Sequence, residues 1–174
     1  MLTQVYEIST TEEASAISAI GVDHVGVLVG DGRFPRELPI SAASDIGAVI
    51  APPSKFSALF LTCDISLIAS WARELNPSIV HLGASAELLS PKDVASLKRI
   101  LPGIVVMRSI PVFGEESVAI ACSYVLHCRL SATRQLSAHR QTYRRARRDA
   151  RLEYQSPHRG PRPCSCCPCR RPRT

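Results

Sequence analysis

Short apolar runs alternate with amphipathic stretches over most of this chain. Val5-Tyr6-Glu7-Ile8 has the character of a short strand. Ser9 or Thr10 can cap the helix after it, with Glu12 and Glu13 in the first turn, where the helix dipole favours acids. That helix runs to about Ile20, and Gly21 ends it. The run His24-Val25-Gly26-Val27-Leu28-Val29 is apolar on both faces, as a buried parallel strand is. A loop from Gly30 to Pro39 precedes a helix from about Ser41 to Ile50, stopped by Pro52-Pro53. Ser57 to Thr62 predicts a third strand, and Asp64 or Ser66 opens a helix that Asn76-Pro77 ends after Leu75. Ser78 to Leu82 is a fourth strand. Ser90-Pro91-Lys92-Asp93 starts a helix with proline just inside the cap, and Pro102-Gly103 breaks it after Leu101. Ile104 to Ser109 is a fifth strand, and a fifth helix is expected from about Gly114 to Ser123.

The order is therefore strand then helix, repeated five times with short connections, which implies a parallel sheet with right-handed crossovers. Two architectures suit it: an open doubly wound sheet, or the first five units of a (β/α)8 barrel. The pattern alone does not separate them.

Charge divides the chain. From Leu126 to Thr174 there are thirteen arginines against two acids, Asp149 and Glu153, a net of +11. The part before it has eight bases against thirteen acids, a net of −5. The tail also holds five of the seven cysteines and five of the thirteen prolines. We expect two regions: residues 1–124, folded, and residues 125–174, a tail whose high charge and low apolar content predict disorder. A pI near 9.2 ordinarily points to a polyanion, but here the excess charge lies wholly in the tail. No apolar run approaches the roughly 20 residues of a membrane span. The N-terminus lacks the pattern of a secretory signal, and Cys63 and Cys122 fit reduced thiols, so a cytoplasmic location is expected.

An ordered set of segments between Gln4 and about Ser123 resembles the phosphoribosylanthranilate isomerase family, (β/α)8 barrels of tryptophan biosynthesis. The family's opening K-I-C-G-I-T, with E-D-A shortly after, is similar to Gln4-Val5-Tyr6-Glu7-Ile8-Ser9 and Glu12-Glu13-Ala14. Its G-A-D-A-I-G-F-V-F resembles Gly21 to Val29, its S-P-R resembles Phe34-Pro35-Arg36, and its D-I-V-Q-L-H-G resembles Ser78 to Gly83. Ile104 to Pro111 is similar to its I-K-A-I-R-V region.

The resemblance implies a partial (β/α)8 (TIM) barrel of about five βα units followed by a disordered tail. It implies an aldose–ketose isomerase lineage, a small-molecule sugar-phosphate substrate and no cofactor or metal. In the family an acid protonates the ribose ring oxygen, and the cysteine of K-I-C-G takes a proton from the sugar carbon. Tyr6 stands at that general-base position, and a phenol with a pKa near 10 is a poor base at neutral pH. Little or no turnover is therefore expected. Arg36 matches an arginine that grips the substrate's carboxylate, and His81 is a candidate substrate contact. The plainer readings are a strand residue at the barrel mouth for Tyr6, a solvated loop cation for Arg36 and a hydrogen-bonded strand-end histidine for His81. His24 is expected at a strand start, away from the catalytic face.

The family's strands six to eight are not legible in the sequence as written. Shifting the reading by one base lets His127 to Leu136 encode I-A-D-F-L-L-L-D-S, similar to the family's strand six with its acidic aspartate. The same shift lets Asp149 to Gly160 encode a segment like the one before strand seven. GC-rich coding DNA in a wrong frame also yields Arg, Pro, Ala and Cys with little Lys. The expected product is a barrel fragment with an out-of-frame tail, and its exposed strand edges invite self-association. The alternatives are a non-catalytic barrel remnant or a functional tail. In the tail, Cys164-Ser165-Cys166-Cys167-Pro168-Cys169 offers thiolates to Zn²⁺ or Cu(I) without paired knuckles. Arg144-Arg145-Ala146-Arg147-Arg148 offers charge to nucleic acid with only Tyr143 and Tyr154 for stacking, and nucleic acid is the less favoured partner.

Overall fold

Strands and helices alternate throughout the computed structural model, which describes residues 1–85, 87–112, 114–125 and 128–131. The strands are β1 (Gln4–Val5), β2 (His24–Val29), β3 (Lys55–Phe60), β4 (Ile79–Leu82), β5 (Val105–Ser109) and β6 (Arg129–Ser131). Between them lie α1 (Thr11–Ala19), α2 (Ile40–Ala48), α3 (Ile65–Leu75), α4 (Pro91–Ile100) and α5 (Glu116–Val125). The expected tail beyond Ser131, with its cysteine and arginine clusters, lies outside the described residues.

Every neighbouring strand pair is parallel, and the strands follow chain order across the sheet, β1-β2-β3-β4-β5-β6. That order excludes the doubly wound alternative, in which strand order reverses at a switch point. With right-handed crossovers it also places every helix on one face. On the other face, side chains meet across the sheet. Tyr6, just past β1, reaches His81 of β4, and Gln4 Nε2 lies 3.6 Å from Met107 Sδ in β5. In a flat sheet, with strands about 4.8 Å apart, these strands would be separated by roughly 14–19 Å. The sheet is therefore curled, and its strands and helices form half of a (β/α)8 barrel.

Three helices begin at the caps that the sequence offers. Thr10 caps α1, its hydroxyl accepting from Glu13 N at 3.2 Å. The Asp64 carboxylate caps α3 through Ser66 N and Leu67 N, and Asn76 ends that helix in the left-handed conformation at φ 44°. Ser90 and Asp93 form a capping box on α4.

Alternation along the strands splits the buried residues in two. Val25, Val27, Ala58, Phe60, Val80 and Leu82 lie in the apolar core beneath the helices. Phe60 stacks on Trp71 of α3, with centroids 6.1 Å apart. One charged residue enters this layer. Arg108 of β5 is wholly buried, donates from Nη1 to the Leu82 carbonyl at 3.0 Å, and lies 5.6 Å from the Tyr124 ring centroid.

The structure differs from the pattern at several element ends: β3 stops at Phe60 rather than Thr62, and α5 spans Glu116–Val125 rather than about 114–123. β1 stops at Val5 rather than Ile8, because Glu7 takes φ +63° and cannot continue a strand. β3 starts two residues earlier than Ser57, because Lys55 pairs with His24 and carries the ladder down to the strand's foot. And a sixth strand is present where the first one missing from the sequence was expected: Arg129–Ser131 pairs with β5 over three residues.

Candidate active site

Active sites of (β/α)8 proteins lie at the C-terminal ends of the strands. There Tyr6, His81 and Ser109 put polar groups on the inward face, beside the aliphatic Leu28 and Leu59 of β2 and β3. Tyr6 follows β1, His81 sits one residue from the end of β4, and Ser109 ends β5. Curling of the sheet brings the three together. His81 Nδ1 lies 2.7 Å from the Tyr6 hydroxyl, and His81 Nε2 lies 2.6 Å from Ser109 Oγ. The two rings are tilted, with centroids 5.1 Å apart. Gly26 of β2 makes room for this arrangement, since a methyl group there would run into the Tyr6 ring. Gly26→Ala is therefore expected to push Tyr6 off His81 and cost about 1–3 kcal/mol of stability, measured by urea unfolding.

Burial sets the protonation states. His81 is only 3% exposed. Desolvation, helped by the charge of Arg108 and by His24, lowers its pKa from 6.5 to about 4. The imidazole is thus neutral at pH 7: one ring nitrogen donates and the other accepts. Burial raises the Tyr6 phenol to about 12, against a smaller opposing influence from Ser57. The cluster is uncharged at neutral pH.

This has a measurable consequence. Between pH 6.5 and about 4 the unfolded chain binds a proton at residue 81 that the folded chain refuses. Stability is therefore full above pH 6.5 and declines as the pH falls through that window, by up to about 3 kcal/mol from this residue. Urea unfolding at pH 7 and pH 4.5 should show the decline, and His81→Gln should flatten it.

At the opposite end of the strands, the half-buried Gln4 amide lies 2.6 Å from His24 Nδ1. His24 is the first residue of β2, at the foot of the barrel and away from the mouth. Burial, then the nearby Lys55, lowers its pKa.

Arg36 is not part of the Tyr6–His81–Ser109 cluster. It lies in the loop after β2, with its side chain 71% exposed, and is ion-paired with Glu7. Both residues have left-handed backbones, φ +67° for Arg36 and +63° for Glu7. The loop between them and β2 is closed on itself. The Glu37 carboxylate accepts from the backbone N–H groups of Gly32 and Phe34, each at 3.1 Å, and Arg33 pairs with Asp31 at 2.9 Å. Burial foremost raises the Glu37 pKa.

Of the residues the sequence singles out, the structure brings Tyr6 and His81 together and leaves Arg36 apart, and the sequence did not single out Ser109 or Glu7. Ser109 shares the inward parity of Met107 on β5, which was the available signal. For Glu7 the signal was a charged residue at the glycine of K-I-C-G. Among the described residues, no group of three or more His, Cys, Asp or Glu side chains could hold a metal ion, and no helix is long and apolar enough to cross a membrane.

A curled parallel sheet wound in chain order, with Tyr6, His81 and Ser109 at the strand C-termini, defines half of a (β/α)8 barrel. No protein-family model matches the sequence, and no curated protein matches it. Solved structures do, and those compared are phosphoribosylanthranilate isomerases. The isomerase of Thermus thermophilus is 19% identical, with a TM-score of 0.57 over 66% of this chain and 54% of its own. That of Thermococcus kodakaraensis is 16% identical, with a TM-score of 0.61 over 88% and 74%. TrpF of Jonesia denitrificans is 23% identical, with a TM-score of 0.55 over 63% and 50%. A further isomerase, 20% identical with a TM-score of 0.56, was solved in complex with reduced 1-(o-carboxyphenylamino)-1-deoxyribulose 5-phosphate. At these identities the likeness establishes the fold. This chain spans about half the length of the Thermus and Jonesia proteins.

Proposed function

We propose that this chain is a divergent fragment of a phosphoribosylanthranilate isomerase-type barrel with little or no isomerase turnover of its own. The fold likeness supports the lineage, and the ligand of the fourth isomerase, a sugar phosphate bearing a carboxyl group, indicates the substrate class. The observation that carries the loss of activity is the phenol at the general-base position. With its pKa raised to about 12, Tyr6 is ionised in about one molecule in 10⁵ at pH 7. Its neighbour His81, held near pKa 4, is a weak acceptor for the same proton. The pair can orient a sugar hydroxyl by hydrogen bonds, but it cannot abstract a carbon-bound proton at a useful rate. Arg36 would take the substrate's carboxylate, and His81 would meet a sugar hydroxyl by exchanging its bond to Tyr6 or Ser109.

The second part of the proposal is that the coding frame slips near residue 125, so that residues 125–174 are not the barrel's own continuation. The short β6 is compatible with this. The edge of β5 offers backbone groups to any extended segment, and pairing over three residues asks little of the side chains. The described cysteines Cys63, Cys122 and Cys128 are free thiols, which suits a cytoplasmic setting.

Two experiments test this reading. Purified chain assayed with phosphoribosylanthranilate should show no turnover above background, and measurable turnover overturns the inactivity. Sequencing the gene should show an open continuation in the shifted frame that encodes the remaining strands. A stop or unrelated sequence there removes the frame proposal.

A further inference from the structure

We infer that Glu7 is a specificity-determining residue at the barrel mouth, an internal carboxylate that a ligand's carboxylate must displace from Arg36. The inference rests on the reading of Arg36 as the carboxylate-binding group.

The backbone makes the case first. Left-handed φ values are uncommon outside glycine. Glu7 holds such an angle although it is not glycine: φ is +63°. Arg36, on the neighbouring loop, is left-handed too. Both residues therefore hold backbone conformations that a glycine would adopt at no steric cost, and the side chains they carry meet in an ion pair.

Charge makes the rest. Glu7 compensates Arg36, while Tyr6 and His81 are neutral at pH 7. The other charged groups of the β2 loop are already engaged: Arg33 pairs with Asp31, and the Glu37 carboxylate accepts backbone N–H groups. An arriving carboxylate thus finds its cation occupied and enters by exchange. The exchange is open to it, because the Arg36 side chain is 71% exposed and that of Glu7 32% exposed. Ion pairs this exposed are weak, so Glu7 attenuates binding rather than abolishing it.

The test is calorimetric titration of the full chain with anthranilate, and with aniline as the probe that lacks the carboxylate. Glu7→Gln is expected to bind anthranilate about two- to fivefold more tightly than the unaltered chain, with aniline unchanged. Glu7→Gly should bind like the glutamine variant. It also suits the left-handed backbone, so it guards against a folding defect. Adding Arg36→Gln should remove the gain. Equal anthranilate affinity with and without Glu7 overturns the gate while leaving Arg36 as the carboxylate's partner. A gain shared by aniline also overturns it. Absence of anthranilate binding in every variant overturns both the gate and the reading of Arg36.

Discussion

A frame-restored chain carrying Tyr6→Cys is expected to isomerise phosphoribosylanthranilate about 10²–10⁴ times faster than the same chain with Tyr6, the range a positioned general base supplies. The reasoning is about proton affinity in one place. The hydroxyl of residue 6 is held against His81 and Ser57, and its ring lies over Gly26. Burial there raises the phenol to about 12, far from the neutral range in which a base is both ionised and available. A thiol starts from a pKa near 8.5, so the same environment leaves a much larger ionised fraction. The thiol is also smaller and frees space over Gly26 for a sugar. Steady-state assays of the two restored chains decide the matter. Equal rates would mean that another group takes the proton and that Tyr6 is a bystander.

The second large effect concerns the helix-facing core. Phe60→Ala is expected to cost about 3–5 kcal/mol, a large share of the roughly 5–15 kcal/mol that holds an ordinary domain folded. Phe60 is wholly buried, and its ring stacks on Trp71, so truncation removes the face on which α3 rests. The chain has a single tryptophan, which makes its fluorescence a direct reporter of that contact. A folded emission spectrum and an unchanged urea midpoint for Phe60→Ala would contradict the packing described. Leu88→Ala is the control. Leu88 is 56% exposed, and its loss should move the midpoint by no more than about 0.5 kcal/mol in stability.

Much of the architecture is written locally and could be read directly. The run from His24 to Val29 is a strand over the same six residues. Ser90, Pro91 and Asp93 form the cap that their spacing implies. What could not be read is whatever depends on curvature. Tyr6 and His81 are 75 positions apart, and His81 and Ser109 are 28 apart; only the winding of the sheet turns them into one hydrogen-bonded unit. The early end of β1 was hidden for another reason. Val5, Tyr6 and Ile8 suit a strand that runs on through Ile8, but the chain turns at Glu7 on a backbone angle that residue type does not encode. β6 was hidden by composition, since Arg-Leu-Ser carries no strand signal. Its pairing comes from the open edge beside it. Arg108 is a similar case. It sits in an apolar strand and the pattern gave it no role, yet parity sends it under α5, where its guanidinium lies 5.6 Å from the Tyr124 ring centroid.

The sheet's two ends have a directional consequence. Among the described residues β1 and β6 each have a neighbour on one side only, and they point the same way. For a second copy to extend the wall with its strands still parallel, its first strand must lie against the last strand of the copy before it. Joining like ends would put antiparallel neighbours into a parallel wall. Head-to-tail contacts of this kind either close into a ring or continue into a fibre, depending on the rotation between copies. Assembly of this half-barrel would therefore have a polarity, and adding one proline at the β1 end would stop its growth at the opposite end of every neighbour.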